Sequence, residues 1–558
     1  MICTFVAVLL LVGGDPAVIQ TFVSPNEQVQ GVFGRAVAGA GDVDADGLGD
    51  VLVGAHRESP GGSPNHAGRA YLFSGDDGSL LHTLASPNEE GGGCFGWSVS
   101  GAGDVTGDGL DDVIVGAYGE DPGSSPEGSG RAYLFDGQAG APVRALASPN
   151  EQPAGYFGWS VSGLGDVDGD GHDDVVVGAP WEDVGPGYTD AGRAYVFSGS
   201  SGVLLSTLTS PVAQDSGYFA WCVSGIGDVD DDGLGDVIVG AHKEAPAGSP
   251  YQAGRVHLFS GATGELVCTF TSPNEEQGGW LGFWVSGTGD LDSDSRPDLV
   301  AGAYNEAPGG CPPKAGRVYV FSGFGGGLVH ALSSPNQEDG GFFGYAVSGA
   351  GDIDCDWYPD IVVGAPAENS AGSPDQAGRA YLFSGESGAV ISELSSPNEE
   401  YKGYFGCSVS GMAGWGGEAE RELVIGACWE DPGAASTNAG RAYRFLPPLV
   451  LSGSLSGGGL CLCWTPCPRA AGFWVYGAEG EAYFQPGFAP GYEHRLALIS
   501  SLVLTWASPN GIGDPDSNWT YLVIAADAQA QELCRSNRVG EQDFEMANIP
   551  SATLRTGK

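Results

Sequence analysis

The residues best suited to chemistry in this chain are aspartates, and they recur in one spacing. Asp166, Asp168, Asp170 and Asp174 occupy positions 1, 3, 5 and 9 of a nine-residue loop, DxDxDGxxD, with Gly171 at position 6. Four carboxylates on so short a loop repel one another unless a cation sits among them. Hard oxygen donors, with a backbone carbonyl at position 7, suit Ca²⁺ better than a soft or strictly octahedral ion. Two further copies are complete: Asp42, Asp44, Asp46, Asp50 and Asp228, Asp230, Asp232, Asp236. In copy two, Thr106 interrupts Asp104, Asp108 and Asp112, which predicts a weaker site. Copies five (Asp290, Asp292, Asp294, Asp298) and six (Asp352, Asp354, Asp356, Asp360) keep the acids but put Ser295 and Trp357 where the sharp turn favours glycine. Strain at positive φ is expected there. Copy seven has Gly414, Gly416, Glu418 and Glu422 instead and is expected to hold no metal. The expectation is therefore up to six Ca²⁺, with solvated acidic turns as the bland alternative. These are not EF-hands, because position 12 is Val or Ala rather than a bidentate Glu.

The elements that must hold these loops repeat with them. The segment FGWSVSGAGDVTGDG beginning at Phe95 has counterparts at Phe33, Phe157, Phe219, Leu281, Phe343 and Phe405, always 62 residues apart. Seven copies without an insertion mean one supersecondary unit stacked on its neighbours. Each unit reads as four short strands, FGWSVSG, DDVIVGA, GRAYLF and a segment such as SLLHTLAS, with turns between them and no helix. The fold class is all-β, a seven-bladed β-propeller in which radial closure leaves only short protected edges. The last unit stops at GRAYRF without a fourth strand, while Ala17 to Val23 forms an orphan fourth strand at the other end, so the N-terminal strand is expected to complete blade seven. A Glu after each second strand and an Arg opening each third, from Glu58 and Arg69 to Glu430 and Arg441, are expected to form ion pairs that pin each hairpin.

Composition narrows the function classes. The 558 residues carry 22 Lys+Arg against 70 Asp+Glu, a net charge of −48. Nucleic acid and anionic membrane surfaces need a basic footprint, so neither is an expected partner. Six Ca²⁺ would offset only a quarter of that charge. Ile2 to Val12 is apolar but too short to span a bilayer, and no other stretch is long enough. Residues 1–14 read as a signal peptide without the usual basic start, since no Lys or Arg precedes Arg35, and a truncated repeat is the alternative because Leu10 to Asp15 can be laid over Leu72 to Asp77. The propeller is assigned to 15–448 and a second domain to 449–558. The 12 Cys fall at different places in the repeat, so no repeated disulfide framework exists. Cys407 and Cys428 are the pair best placed to bridge, and buried free thiols are an equal reading.

At Phe95 and Gly96, the acidic loop, Val115 to Ala117 and RAYLF, the sequence resembles the FG-GAP family, the repeats that build the seven-bladed head of integrin α subunits and of many secreted bacterial proteins. The resemblance covers roughly Ala17 to Phe445. It implies structural calcium loops on one face and ligand recognition on the opposite face. On that opposite face the residue types after each VGA vary: His56 and Arg57, Tyr118, Trp181, His242 with Lys243, Tyr304, and Trp429. Aromatics and bases in turn are what a recognition surface would show, and free drift of loops is the competing explanation. After Phe445, LCLCW, FWVYG and TYLVIAADA resemble strands of a fibronectin type III module, with Trp464 inside and Tyr521 at the corner, which implies a small β-sandwich acting as spacer or contact.

The expected function is a secreted or cell-surface, calcium-stabilised module that recognises a protein or glycan. A passive envelope or matrix component is the alternative. No GxSxG, HExxH or P-loop occurs, and the eight His are scattered, so the chain is read as a non-enzyme. A carbohydrate-active site hidden among the acids is the remaining enzymatic reading.

Overall fold

The computed structural model describes residues 17–446 except 124, 186, 308, 355, 370–372, 413–421 and 432–436, together with the backbone of short strands at 9–11 and beyond 446. Val18–Ile353 and Trp357–Leu446 form one unit, a ring of seven four-stranded antiparallel sheets. Blade two is typical: Ser98–Gly103, Asp112–Ala117, Arg131–Asp136 and Ala141–Leu146 lie side by side in chain order. Among the described residues the one helical turn is Pro60–Gly62, and no helix is long and apolar enough to cross a membrane. The sheet of blade seven contains Ala17–Phe22 beside Arg441–Leu446, Leu423–Ala427 and Phe405–Gly411. The N-terminal strand thus closes the ring, as the orphan fourth strand required.

Burial follows strand position. Every residue of the second strands, such as DVIVGA at 112–117, is buried, as is RAYLF at 69–73. The fourth strands are half exposed and form the outer rim. The core lies between blades: Ile114 and Leu134 of blade two meet Val175, Val177, Tyr195 and Phe197 of blade three. Burying each such side chain stabilises the fold by roughly 1.5–3 kcal/mol, so the stack of neighbours rather than any single blade holds the ring. Phe95 does not join its own strand. It bridges Gly68 of the preceding blade, and Phe33 bridges Gly440 across the closure. Gly96, at φ +83°, is required there because a Cβ would lie 2.1 Å from the Arg69 carbonyl oxygen.

The hairpin ion pairs are corrected by the structure. In six blades the Glu after the second strand accepts a hydrogen bond from the third-strand Tyr hydroxyl, as Tyr319 to Glu306 at 2.5 Å and Tyr381 to Glu368 at 2.6 Å. The Arg turns outward to the next fourth-to-first loop: Arg69 pairs with Glu89 at 2.6 Å, Arg131 with Glu151 at 2.7 Å and Arg255 with Glu275 at 2.7 Å. Among the described residues only Arg193 and Glu182, 3.7 Å apart, approach the expected pairing. The Glu side chain enters the core, where a neutral hydroxyl is the cheaper partner. The Arg is nearly buried as well, and its charge is met by loop carboxylates that keep about a quarter of their surface in water.

Beyond the ring, Leu451–Ser456 pairs with Gly459–Trp464 and with Leu9–Leu11, and Gly472–Tyr476 pairs with Ala482–Phe484 and Leu522–Ala526. The sandwich packing, the side chain of Trp464 and all of Tyr521 lie outside the described residues, as do residues 1–8 and 12–16 on which the signal-peptide reading rests. Cys407 and Cys428 are free thiols, buried together with Val32 in blade seven.

Candidate functional site

In blades one to six the first strand ends in a β-bulge, between Gly163 and Gly165 in blade three, which turns the chain into the acidic loop. The loop is organised by its own carboxylates. Asp42 accepts from the amides of Asp46 at 3.2 Å and Gly47 at 3.0 Å, and Asp46 accepts from Leu48 at 2.8 Å. The position-9 aspartate also clamps the loop to the turn after the third strand. Asp50 accepts from Val43 at 2.9 Å and from Gly75 at 2.7 Å, and Asp298 from Leu291 at 2.7 Å and Gly323 at 3.0 Å. Burial pushes these carboxyls up, Asp50 and Asp298 to about 7 and Asp112, Asp174 and Asp236 to about 6. A neighbouring cation would reverse that cost.

The carboxylates converge in five loops. One oxygen from each of Asp42, Asp44 and Asp50 lies within 4.8 Å of the others, and the same holds for Asp166, Asp168, Asp174 and for Asp228, Asp230, Asp236. Loops five and six gather Asp290, Asp292, Asp294 and Asp352, Asp354, Asp356. Oxygens bound to one calcium at about 2.4 Å can be no further apart than that span, so the donor set fits a hard cation. Asp46, Asp170 and Asp232 stand in their loops outside these trios, as do Asp298 and Asp360 in theirs. Loop two forms no such trio: Thr106 replaces the central acid, and its amide donates to Asp112 at 2.9 Å. Ser295 and Trp357 do adopt positive φ, +70° and +80°, in place of glycine. Position 4 is left-handed as well, in Ala45, Asp231 and Ser293, a second strained residue that the spacing did not disclose. In blade seven Glu422 pairs with the buried guanidinium of Arg444, so a fixed cation stands against that acid; residues 414, 416 and 418 lie outside the described residues.

The opposite ends of the same hairpins carry aromatic rings. The first and second strands of blade two are six residues long, which puts Trp97 and Tyr118 about 20 Å from the acidic loop. Trp97, Trp159, Trp221, Phe283 and Tyr345, from the start of five consecutive first strands, form a continuous arc with centroids 4.6, 4.9, 5.6 and 5.2 Å apart. The loop residues singled out from sequence pack around this arc. Tyr118 sits 5.0 Å from Trp97, Trp181 4.5 Å from Trp159, His242 4.4 Å from Trp221 and Tyr304 4.6 Å from Phe283.

Their exposure differs from the expectation of a uniformly presented loop surface. His242 and Tyr304 are buried beneath their neighbours, and burial followed by the Lys243 charge holds His242 well below the usual imidazole range. Tyr118 and Trp181 are half-buried. Trp429, 38% exposed, stands apart from the arc, with Tyr404 6.2 Å away. The inner arc was missed because its residues look like ordinary strand positions; their 62-residue recurrence was the available signal.

The family model for the FG-GAP repeat matches residues 33–73, 95–135, 157–197, 282–321 and 343–383. Both unmatched blades depart locally from the repeat. Blade four has Ala220 for the FG glycine, at φ +65°, and His257 for the tyrosine, while blade seven lacks the acidic loop. The chain is similar to integrin alpha-5 of Xenopus laevis, 32% identical over 230 residues, 38% of this chain and 20% of that one. It is also similar to integrin alpha-8 of Gallus gallus, 29% identical over 226 residues, 38% and 20% of the two chains. Integrin alpha-IIb of Mus musculus is 34% identical over 168 residues, 28% and 15%. The matched stretch spans a fifth or less of the length of these relatives. This chain thus carries FG-GAP repeats in five of its blades, closes into a seven-bladed β-propeller, and is similar over 230 of its residues to an integrin α chain.

Proposed function

We propose that the chain is a secreted or cell-surface recognition module, stabilised by Ca²⁺, that presents the aromatic end of its ring to a protein or glycan ligand. The observation that carries the reading is the separation of two surfaces on the hairpins of blades two to six, acidic loops at one end and a continuous aromatic arc at the other. Clustered aromatic rings offer large contact area at low conformational cost, which is the composition of interface hot spots. Bound at the five converging loops and, more weakly, at Asp104, Thr106, Asp108 and Asp112, Ca²⁺ supplies charge compensation that holds the loops closed. Tyr118, Trp181, His242, Tyr304 and Trp429 belong to the recognition end, the buried two as supports for the others. The segment 449–558 serves as a fibronectin type III-like spacer after the propeller assigned to 15–448. No reaction is assigned to the chain.

The test is an array of glycans and matrix proteins probed with the purified chain, with calcium and with chelator, and repeated with Trp181→Ala and Trp429→Ala. Binding that is lost in chelator and weakened by the substitutions is the expected result. A folded chain that captures nothing, or whose capture ignores both substitutions, would return the function to a passive matrix component.

A further inference from the structure

The aromatic arc is broken in blade one, where Arg35 takes the position that five other blades give to a ring. Its guanidinium lies over Trp97, 4.9 Å from the ring centroid. Among the described residues no carboxylate pairs with it. Burial acts first against its charge, and the groups that offset it are Tyr345, Cys428, Cys407 and Tyr118, none of them a carboxylate. This is notable in a chain with 70 acids, because a guanidinium is always charged and its fork matches a carboxylate in two parallel hydrogen bonds. Arg35, Trp97, Trp159, Trp221, Phe283 and Ser98 line a cavity of about 190 Å³ at the axis. His56, edge-on to Trp97 at 4.9 Å and buried, has an Nδ1 without a partner, and Arg57 adds a second cation beside it.

We infer that this axial mouth is a carboxylate site, in which Arg35, stacked on Trp97, receives an aspartate or glutamate side chain presented by a partner protein. The inference rests on the reading of the aromatic end as the recognition face. Three features select the occupant. The mouth itself, about 190 Å³, is the size of one side chain, and the cavity of about 420 Å³ that adjoins it is lined mainly by serine and glycine without a further cation. The rim is aromatic and the wall below it carries serines such as Ser98, Ser160 and Ser286, a mixed lining in which the Arg35 fork can hold a planar carboxylate. The surrounding half-buried Tyr118 and Trp181 offer area to the rest of a protein surface, which a free small acid would leave unused. The mouth then recognises a partner by a cation that no carboxylate among the described residues neutralises.

The test uses the calcium-loaded full chain and its tryptophan fluorescence, since Trp97, Trp159 and Trp221 line the mouth. Probes at constant ionic strength are the blocked peptides Gly-Asp-Gly and Gly-Asn-Gly, acetate and inorganic phosphate. Gly-Asp-Gly is expected to bind saturably and at least about tenfold more tightly than Gly-Asn-Gly. Arg35→Gln should abolish that difference, Arg35→Lys should keep part of it, and Lys314→Gln, an exposed cation in a blade-five loop at the same end of the ring, should change nothing. Equal binding of the two peptides, full binding by Arg35→Gln with unchanged melting, or tighter binding of phosphate would each overturn the site. Acetate binding as tightly as the peptide would overturn the partner side chain in favour of a free acid. If array ligands are lost with Trp181→Ala but held by Arg35→Gln, the recognition face stands and the carboxylate site falls.

Discussion

His257 places its Nε2 2.8 Å from Oε2 of Glu244, where the other six blades set a tyrosine hydroxyl against the same glutamate. Both residues are fully buried, and Nδ1 of His257 meets the Thr269 hydroxyl at 2.9 Å. The substitution keeps the essential feature, a donor aimed at a carboxylate that cannot reach water. A buried acceptor without its donor costs its full desolvation.

Replacing that donor tests the pairing. His257→Leu should remove about 3 kcal/mol of stability, read by denaturant unfolding in calcium, because Glu244 is left in the core without its donor. His257→Tyr should recover most of the loss by restoring the arrangement of the other blades. A Leu variant as stable as the parent would show that the pair contributes nothing.

The tyrosine-bound glutamates set a pH dependence. Burial, against the pull of the Tyr hydroxyl and a nearby serine, raises Glu120, Glu306, Glu368 and Glu430 to about 7. A carboxyl with a raised folded pKa binds more protons folded than unfolded, so its contribution is complete below the unfolded value near 4.5 and fades as pH rises through about 7. In chelator, the melting temperature should therefore fall between pH about 5 and about 7.5, and Glu306→Gln should make the fall shallower. A flat profile in chelator would contradict the burial cost assigned to these acids.

Much of this fold was legible because one unit recurs without insertions. The 62-residue spacing defined seven blades, the orphan strand at Ala17–Phe22 defined the closure, and the repeated aspartates marked the loops. What escaped depended on direction rather than position. Glu58 follows the second strand and Arg69 opens the third, and only the fold shows that Glu58 turns inward to Tyr71 while Arg69 reaches out to Glu89. The arc from Trp97 to Tyr345 likewise exists only once the first strands line the axis. Arg35 was simply one of 22 bases until its ring-lined surroundings were placed around it.

Strain in the sixth loop offers a gain-of-stability test. Trp357 is held at φ +80° with 66% of its surface exposed, so it gives up backbone freedom without burying its ring. Trp357→Gly should stabilise the chain by about 1 kcal/mol and shift the calcium midpoint of melting to lower concentration. In the parent, chelator should lower the melting temperature sharply. Unchanged melting in chelator would remove calcium from the account of the loops, and an unstabilised Gly variant would remove the strain.

Blade seven solves the acidic-loop problem with protein atoms. Glu422, at the position of the clamping aspartate, binds the Arg444 guanidinium, which also donates to the Gly75 carbonyl of blade one. Arg444 is 1% exposed, so the pair has lost its hydration, and the attraction must repay that cost. Removing one partner is then much worse than removing both. Arg444→Leu should cost about 3–5 kcal/mol, since it strands Glu422 and cuts the tie between the closing blade and the first. Arg444→Leu with Glu422→Leu should recover most of the loss, measured by denaturant unfolding of both variants beside Glu422→Leu alone. Additive losses across that cycle would mean that the two residues act independently, and the closure would then rest on the N-terminal strand without help from this pair.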